Sequence, residues 1–319
     1  MLFEYRILAH RRALVAPCLL GRSLSIVKLH SWQLHRVAFF CSFDNTKQSI
    51  HSKTLTNIYF ALYLSTYTSL LFDVHIHLTD NEYSGYVHHI ISSLNMMKII
   101  ACSVTVDIET TIRSFNLFNA HRNVVKQFIG IHPEASARED LERFREIFKS
   151  NLQSIDGVGE IGLDGTYDVP IRRQEQVFSA MLELAELTGR PVSIHSRRML
   201  DTVLEILPSY HIKSALLHWF AGSKKQLAKS MDIGLYVSYG PPLVYSEDKK
   251  VLLKKTDRDR FLVETDGPVQ YSRCFENKPA ISTSCLVSVV ASAAHTIGMS
   301  YDETVDLLQK NSKTYLGYT

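Results

Sequence analysis

His75 and His77 stand two residues apart in the run Phe72-Asp73-Val74-His75-Ile76-His77. Successive side chains of a β-strand alternate faces, so Asp73, His75 and His77 are expected on one side and Val74 and Ile76 on the other. Two neutral imidazoles leaving one strand end together can hold a divalent cation. The competing reading is a pair of histidines in an ordinary buried strand. Four more stretches end apolar runs on side chains of the same kind. Val158-Gly-Glu-Ile-Gly-Leu-Asp164 sets Glu160 among apolar neighbours, where a carboxylate is costly unless it is paired or binds a metal. Its flanking Gly159 and Gly162 would let backbone approach a ligand closely; a glycine-rich turn with a solvated glutamate is the alternative. Pro191–Arg197 and Leu216–Phe220 each close an apolar run with a histidine, His195 and His218, and Phe261–Pro268 closes one with Glu264 and Asp266.

These residues need elements that deliver them to one place. Eight apolar runs read as strands: 72–77, 98–104, 125–132, 157–163, 192–195, 215–218, 235–239 and 261–265. Helical stretches lie between them, such as 172–187, where Val177, Met181, Leu184 and Leu187 recur at three- and four-residue steps. A last helix is expected from Tyr301, with Ser300 as N-cap, Glu303 completing a capping box, and an end near Gly317. Alternating strands and helices imply right-handed βαβ units and a parallel sheet. Eight units in residues 71–319 match an α/β (β/α)8 TIM barrel, whose active sites lie at the C-terminal ends of the strands. The intervals agree: 83 residues from His77 to Glu160, 23 from His195 to His218 and 48 from His218 to Asp266. Ligand-type side chains therefore fall at the ends of strands one, four, five, six and eight. A structural role would have to hold separately at every one of these positions.

The 319 residues are 45% apolar and 21% charged, the make-up of a soluble globular protein, with net charge +3. That charge is uneven. Residues 1–70 carry eight Lys/Arg against Glu4 and Asp44, a local +6, leaving −3 for residues 71–319. Nucleic-acid binding by the barrel would then need a local patch rather than overall charge. The five cysteines are scattered, odd in number and never paired as C-x-x-C. This fits a reducing compartment, so a cytoplasmic protein is expected, and excludes a cysteine zinc site. Residues 1–70 are set apart as a basic extension without a chemical motif. A transit-type presequence, an incidental extension and a membrane anchor in the uncharged run 54–72 compete for it; the polar residues interrupting that run disfavour the anchor.

In order along the chain, FDVHIH, GIHPE, GEIGLD, RQEQVFSAMLELAELTGRPVSIH followed by SR, LLHWF and ETDGP resemble the TatD family of metal-dependent hydrolases, in the amidohydrolase-like superfamily of TIM barrels. The resemblance runs from residue 71 to about 317. It implies two divalent ions, Mg²⁺, Mn²⁺ or Zn²⁺: His75, His77 and Asp266 on one, His195 and His218 on the other, Glu160 bridging. It also implies a nuclease that removes nucleotides from the 3′ ends of single-stranded DNA or RNA. A branch of similar proteins instead hydrolyses the ester of D-aminoacyl-tRNA. Residues 1–70 have no counterpart in the family pattern. Gly165-Thr166-Tyr167 after Asp164 and Gly-Pro-Val-Gln after Asp266 depart from the usual loops, which border the substrate groove.

Two cations about 4 Å apart can stabilise the attacking and leaving oxygens of a displacement. Asp266 is the expected proton acceptor, with Glu160 beside it, and Asp73 and Glu264 are expected to orient ligands; Asp73 can equally close the barrel floor and Glu264 be a paired core carboxylate. His132, in Gly-Ile-His-Pro, and Arg197 are expected at the substrate, Arg197 as a phosphate fork or else a salt-bridge residue. Trp219 can stack a terminal base or pack at the rim. A monomer without a membrane segment, acting on nucleic acid, is the leading expectation. An ester hydrolase with the same metals and a catalytically silent metal-binding scaffold are the rivals.

Overall fold

The computed structural model describes residues 70–271, 273 and 280–318, together with a short antiparallel pairing of 27–28 with 37–38. The chain divides into two compact units, 1–66 and 67–319. Apart from that pairing, the presequence, anchor and extension readings of the first 70 residues fall outside the described residues.

Eight strands follow one another in the second unit: β1 (Leu71–Ile76), β2 (Ile99–Val104), β3 (Val125–Phe128), β4 (Val158–Gly162), β5 (Val192–His195), β6 (Ala215–Leu217), β7 (Tyr236–Tyr239) and β8 (Phe261–Val263). Every strand ladder among them is parallel. The ladders form two sheets, β1-β2-β3 and β4 through β8. A single bridge, Phe128 to Gly157, links β3 to β4. No ladder closes β8 onto β1. Two backbone hydrogen bonds span that seam instead, Asp266 N–H to the His75 carbonyl (2.9 Å) and His77 N–H to the Gly267 carbonyl (2.8 Å). The (β/α)8 architecture is thus present, with its ladder open at one seam.

The principal helices between and after the strands are α1 (Val87–Met97), α2 (Ile108–Phe118), α3 (Leu141–Ser150), α4 (Ile171–Thr188), α5 (Leu200–Ile206), α6 (Lys224–Asp232), α7 (Pro242–Tyr245), α8 (Glu247–Lys255), α9 (Ser282–Ile297) and α10 (Tyr301–Tyr315). No single helix among the described residues is long and apolar enough to cross a membrane. In α4, Val177, Met181 and Leu184 are buried as the periodicity predicts, but Leu187 is 79% exposed. At 3.6 residues per turn it lies roughly 80° round from Val177, off the buried stripe. The capping box at α10 forms as expected, Ser300 Oγ accepting from Glu303 N–H and Glu303 from Ser300 N–H. Helix α9 carried no sequence expectation. It is apolar on most sides, with Cys285, Leu286, Val289, Val290 and Ala293 buried, so its periodicity is weak.

The core has two layers. One cluster draws Phe72, Val74, Ile100, Cys102, Phe128, Leu216, Tyr236 and Leu262 from six strands, with Tyr315 of α10 beneath them. The other joins strand residues such as Ile76, Ala101 and Val125 to the helices. Val74 and Ile76 therefore belong to different layers, and the strict alternation expected for β1 is broken. The cause is a register irregularity against β2 between Asp73 and Ile76. A bulge of this kind resets which side chains share a face, so Asp73 and the two histidines serve different places.

Candidate metal centre

The end of β1 carries His75, fully buried, and the half-buried His77. Strand β4 delivers Glu160 between them and the histidines of the next strands. Glu160 Oε2 lies 3.4 Å from His75 Nε2 and 3.3 Å from His77 Nε2. Its other oxygen, Oε1, lies 2.8 Å from His218 Nε2, 2.9 Å from His195 Nδ1 and 3.5 Å from His132 Nε2. Asp266, past β8, faces His77 Nε2 at 3.3 Å and His75 Nε2 at 3.6 Å. Three sets of ligating atoms are compact enough to surround one ion: His75, His77 and Asp266; His75, Glu160 and His218; and His132, Glu160 and His195.

The glycines of the β4 motif have a different use from the one expected. A Cβ on Gly162 (φ +142°) would sit 2.0 Å from the His195 carbonyl oxygen, and one on Gly159 would be 2.9 Å from Ser193 Cβ. They admit the neighbouring strand β5 rather than a ligand. Close approach of β4 to β5 is what brings His195 onto Glu160.

Electrostatics follow from burial and crowding. Burial pushes His75 down to about 4, with His218 adding to the effect, and burial lowers His132 to about 4 as well. Burial by itself would raise Glu160, but the imidazoles around it, His218 foremost, hold its carboxyl well below the usual range. Asp266 is likewise held low against burial by its hydrogen bond with His77. His75 and His132 are thereby kept in the neutral form that ligates metals, whereas the carboxylates facing His77, His195 and His218 raise those three against their burial. His75 Nδ1 is engaged by Ser193 Oγ at 2.8 Å, which leaves Nε2 buried without a hydrogen-bond partner. A buried nitrogen left without a partner, aimed between two carboxylates, fits a cation there.

The residues expected to orient ligands divide. The Asp73 carboxylate meets neither histidine ring. It accepts from Thr265 N–H (2.9 Å) and Thr265 Oγ1 (2.6 Å) across the β8–β1 seam, and burial raises it to about 7. These bonds tie the segment after β8 to β1. Glu264 accepts from Trp219 N–H (2.7 Å) and Ser238 Oγ (2.5 Å), with His218 Nδ1 4.0 Å away. Burial raises it to about 8. It grips the turn that carries His218.

At the rim, Arg197 is exposed and makes no ion pair among the described residues. His132 is buried within the ligand cluster, its ring 4.7 Å from that of His195 and 5.7 Å from Tyr167. Trp219 is half-buried and packs on Tyr271, ring centroids 5.4 Å apart.

Asp164 and Ser193 are functional neighbours that the sequence reading passed over. Asp164 Oδ2 lies 2.7 Å from His195 Nε2, and its Oδ1 accepts from Thr166 N–H and Oγ1. Burial opposes both charges, but hydrogen bonds from His195 and Thr166 together draw Asp164 down to about 2, and Asp164 and Glu160 together lift His195 to about 9. The signal was present: Asp164 ends the same glycine-rich motif as Glu160. Ser193 carried none, since a serine inside a strand is unremarkable.

A family model described as TatD related DNase matches residues 72–317. A Bacillus subtilis protein named "uncharacterized metal-dependent hydrolase YabD" is 27% identical over 253 residues, 76% of this chain and 98% of that protein. A "3′-5′ ssDNA/RNA exonuclease TatD" of Edwardsiella piscicida is 27% identical over 66% of this chain and 84% of its own length. Among solved structures, the Escherichia coli TatD homolog YjjV superposes with TM-score 0.71 at 23% identity, covering 77% of this chain and 97% of that one.

Proposed function

We propose, for a chain that belongs to the TatD related DNase family of metal-dependent hydrolases, that it is a two-metal phosphodiesterase acting on the 3′ ends of single-stranded nucleic acid. The observation that carries this reading is the division of Glu160, one oxygen toward His75 and His77 and the other toward His195 and His218. A carboxylate so placed could offer one oxygen to each of two ions. His75, His77 and Asp266 would hold one, and His195 and His218 the other; the ions, when bound, lower the pKa of water and neutralise charge building on the phosphate. His132, grouped with Glu160 and His195, is placed to reach the same phosphate or to complete a ligand set.

Asp266 is held ionised by His77 and takes the proton of the attacking water. Asp164 fixes the His195 ring from behind. Arg197, exposed and free of a carboxylate partner among the described residues, grips a phosphate oxygen of the substrate with its planar fork. Trp219, backed by Tyr271, offers a face for a terminal base. The hydrolase domain is residues 71–319, with 1–70 as an extension outside the chemistry.

The test is an assay with end-labelled single-stranded DNA, RNA and a D-aminoacyl-tRNA, each with and without Mg²⁺, Mn²⁺ and Zn²⁺. Metal-dependent shortening of the oligonucleotides from the 3′ end is expected. Turnover of the aminoacyl ester alone would move the chain to the ester-hydrolase class. No turnover of any substrate, with metals bound, would leave a binding scaffold.

A further inference from the structure

The turn after β6 carries His218, Trp219 and Phe220, and it is strained: Trp219 has φ +42°, a conformation costly for a side chain of this size. Such a turn persists only where its surroundings hold it. Glu264 and Ser238 Oγ take the Trp219 N–H, and the Phe220 N–H donates to the Ser238 carbonyl at 3.1 Å. These contacts hold the turn from β7 and β8. The remaining carbonyl, that of Phe220, is met from the outer helices, where Lys249 of α8 donates its Nζ to it.

Lys249 stands in the charged run Glu247–Lys255, yet it differs from its neighbour. Lys250 pairs with the exposed Glu247 on the surface, whereas Lys249 runs inward to line a slot with Trp219, Phe220, Ser238 and Tyr239. With the lysine side chain in place the slot has no space for a water molecule, so the Phe220 carbonyl is met by the ammonium and not by solvent within it. Burial pulls Lys249 below the usual lysine range, with Glu264 opposing. Lys249 is half-buried, and a cation drawn partly out of water is retained where its hydrogen bond matters.

We propose that Lys249 is a positioning residue for this turn, holding Phe220 from the α8 side so that His218 meets Glu160 and Trp219 faces the substrate groove. The placement of the turn stands on the contacts above; only its effect on turnover rests on the nuclease reading. Removing the ammonium frees the far end of the turn while leaving β6 and the barrel in place.

The chain has two tryptophans, Trp32 and Trp219, so Trp32→Phe leaves Trp219 as the only indole reporter. In that background Lys249→Met, which keeps the stem and removes the charge, should fold with unchanged far-UV circular dichroism and make Trp219 more accessible to acrylamide quenching. KM for a single-stranded oligonucleotide should rise about ten-fold, the scale of one lost charge-assisted hydrogen bond, with a smaller change in kcat. Lys249→Arg should restore most of both, and Lys250→Met should alter neither. Unchanged quenching in Lys249→Met, failure of Lys249→Arg to restore it, or an unfolded Lys249→Met would each overturn the proposal, the last by making Lys249 structural. If the parent protein cleaves no oligonucleotide while the quenching difference holds, the nuclease reading fails and the positioning role stands.

Discussion

On the Oε2 side of Glu160, His75, His77 and Asp266 come from the first and last strands and are tied by backbone hydrogen bonds across one seam. His75 has no exposed surface, and its far nitrogen is fixed by Ser193. On the Oε1 side, His195, His218 and His132 come from the ends of three other strands, with Asp164, Tyr167 and Arg197 around them. One side is tied by main chain across the seam, the other by side-chain hydrogen bonds such as that of Asp164 to His195. The first suits an ion bound once and kept. The second suits an ion and a substrate that must meet and part, because groups held by side chains can adjust as a phosphate enters.

Substitution of the shared carboxylate should abolish the contrast altogether. Glu160→Gln is expected to empty both ion sets together and to lower activity by at least the roughly 10²–10⁴-fold that removal of an acid–base group costs. His195→Ala should empty mainly the Oε1 side. Elemental analysis separates these outcomes, and two ions retained in Glu160→Gln would remove the bridging role.

A milder change should affect one side alone. Asp164→Asn keeps the shape but loses the charge that steadies His195, so metal affinity on the Oε1 side should fall roughly 10–100-fold. The ion of His75, His77 and Asp266 should stay bound. Calorimetric titration with Mn²⁺ resolves the two; equal weakening of both would mean that the sides are not independent.

Arg197→Lys probes substrate and not metal. An ammonium cannot reproduce the planar fork, and one charge-assisted hydrogen bond is worth about 1.5–3 kcal/mol. Oligonucleotide turnover should therefore drop roughly ten- to a hundred-fold, with metal content unchanged. An equal loss on a small uncharged ester would assign Arg197 to structure and weaken the case for phosphate. Smallest of all, a chain starting at Leu70 should keep the metal content and specific activity of the full-length protein. A truncated chain that fails to fold would place the domain boundary wrongly at residue 70.

The eight-strand order, the final helix with its Ser300 cap and the histidines and carboxylates that gather at the strand ends were all legible in the sequence. Each depends on local rules: apolar runs of strand length, helical periodicity and a capping box within four residues. The set of residues that meet at Glu160 was legible for the same reason, since each ends a strand and all strand ends of a parallel barrel share one face. What local rules could not supply was phase and partnership. The irregularity in β1 that sends Asp73 to Thr265 rather than to a histidine depends on register with β2. The use of Gly159 and Gly162 to admit β5 depends on how closely two strands distant in sequence approach. Leu187 left the buried stripe through accumulated helical rotation, and α9 was hidden because its exposed side also carries apolar Val287 and Ala291, which leaves little amphipathic contrast. Ser193 and Lys249 look ordinary in the sequence, a strand serine and one lysine among several. Only packing across 118 residues to His75 and 29 residues to Phe220 gives them a task, because a hydrogen bond is decided by where its partner arrives in space.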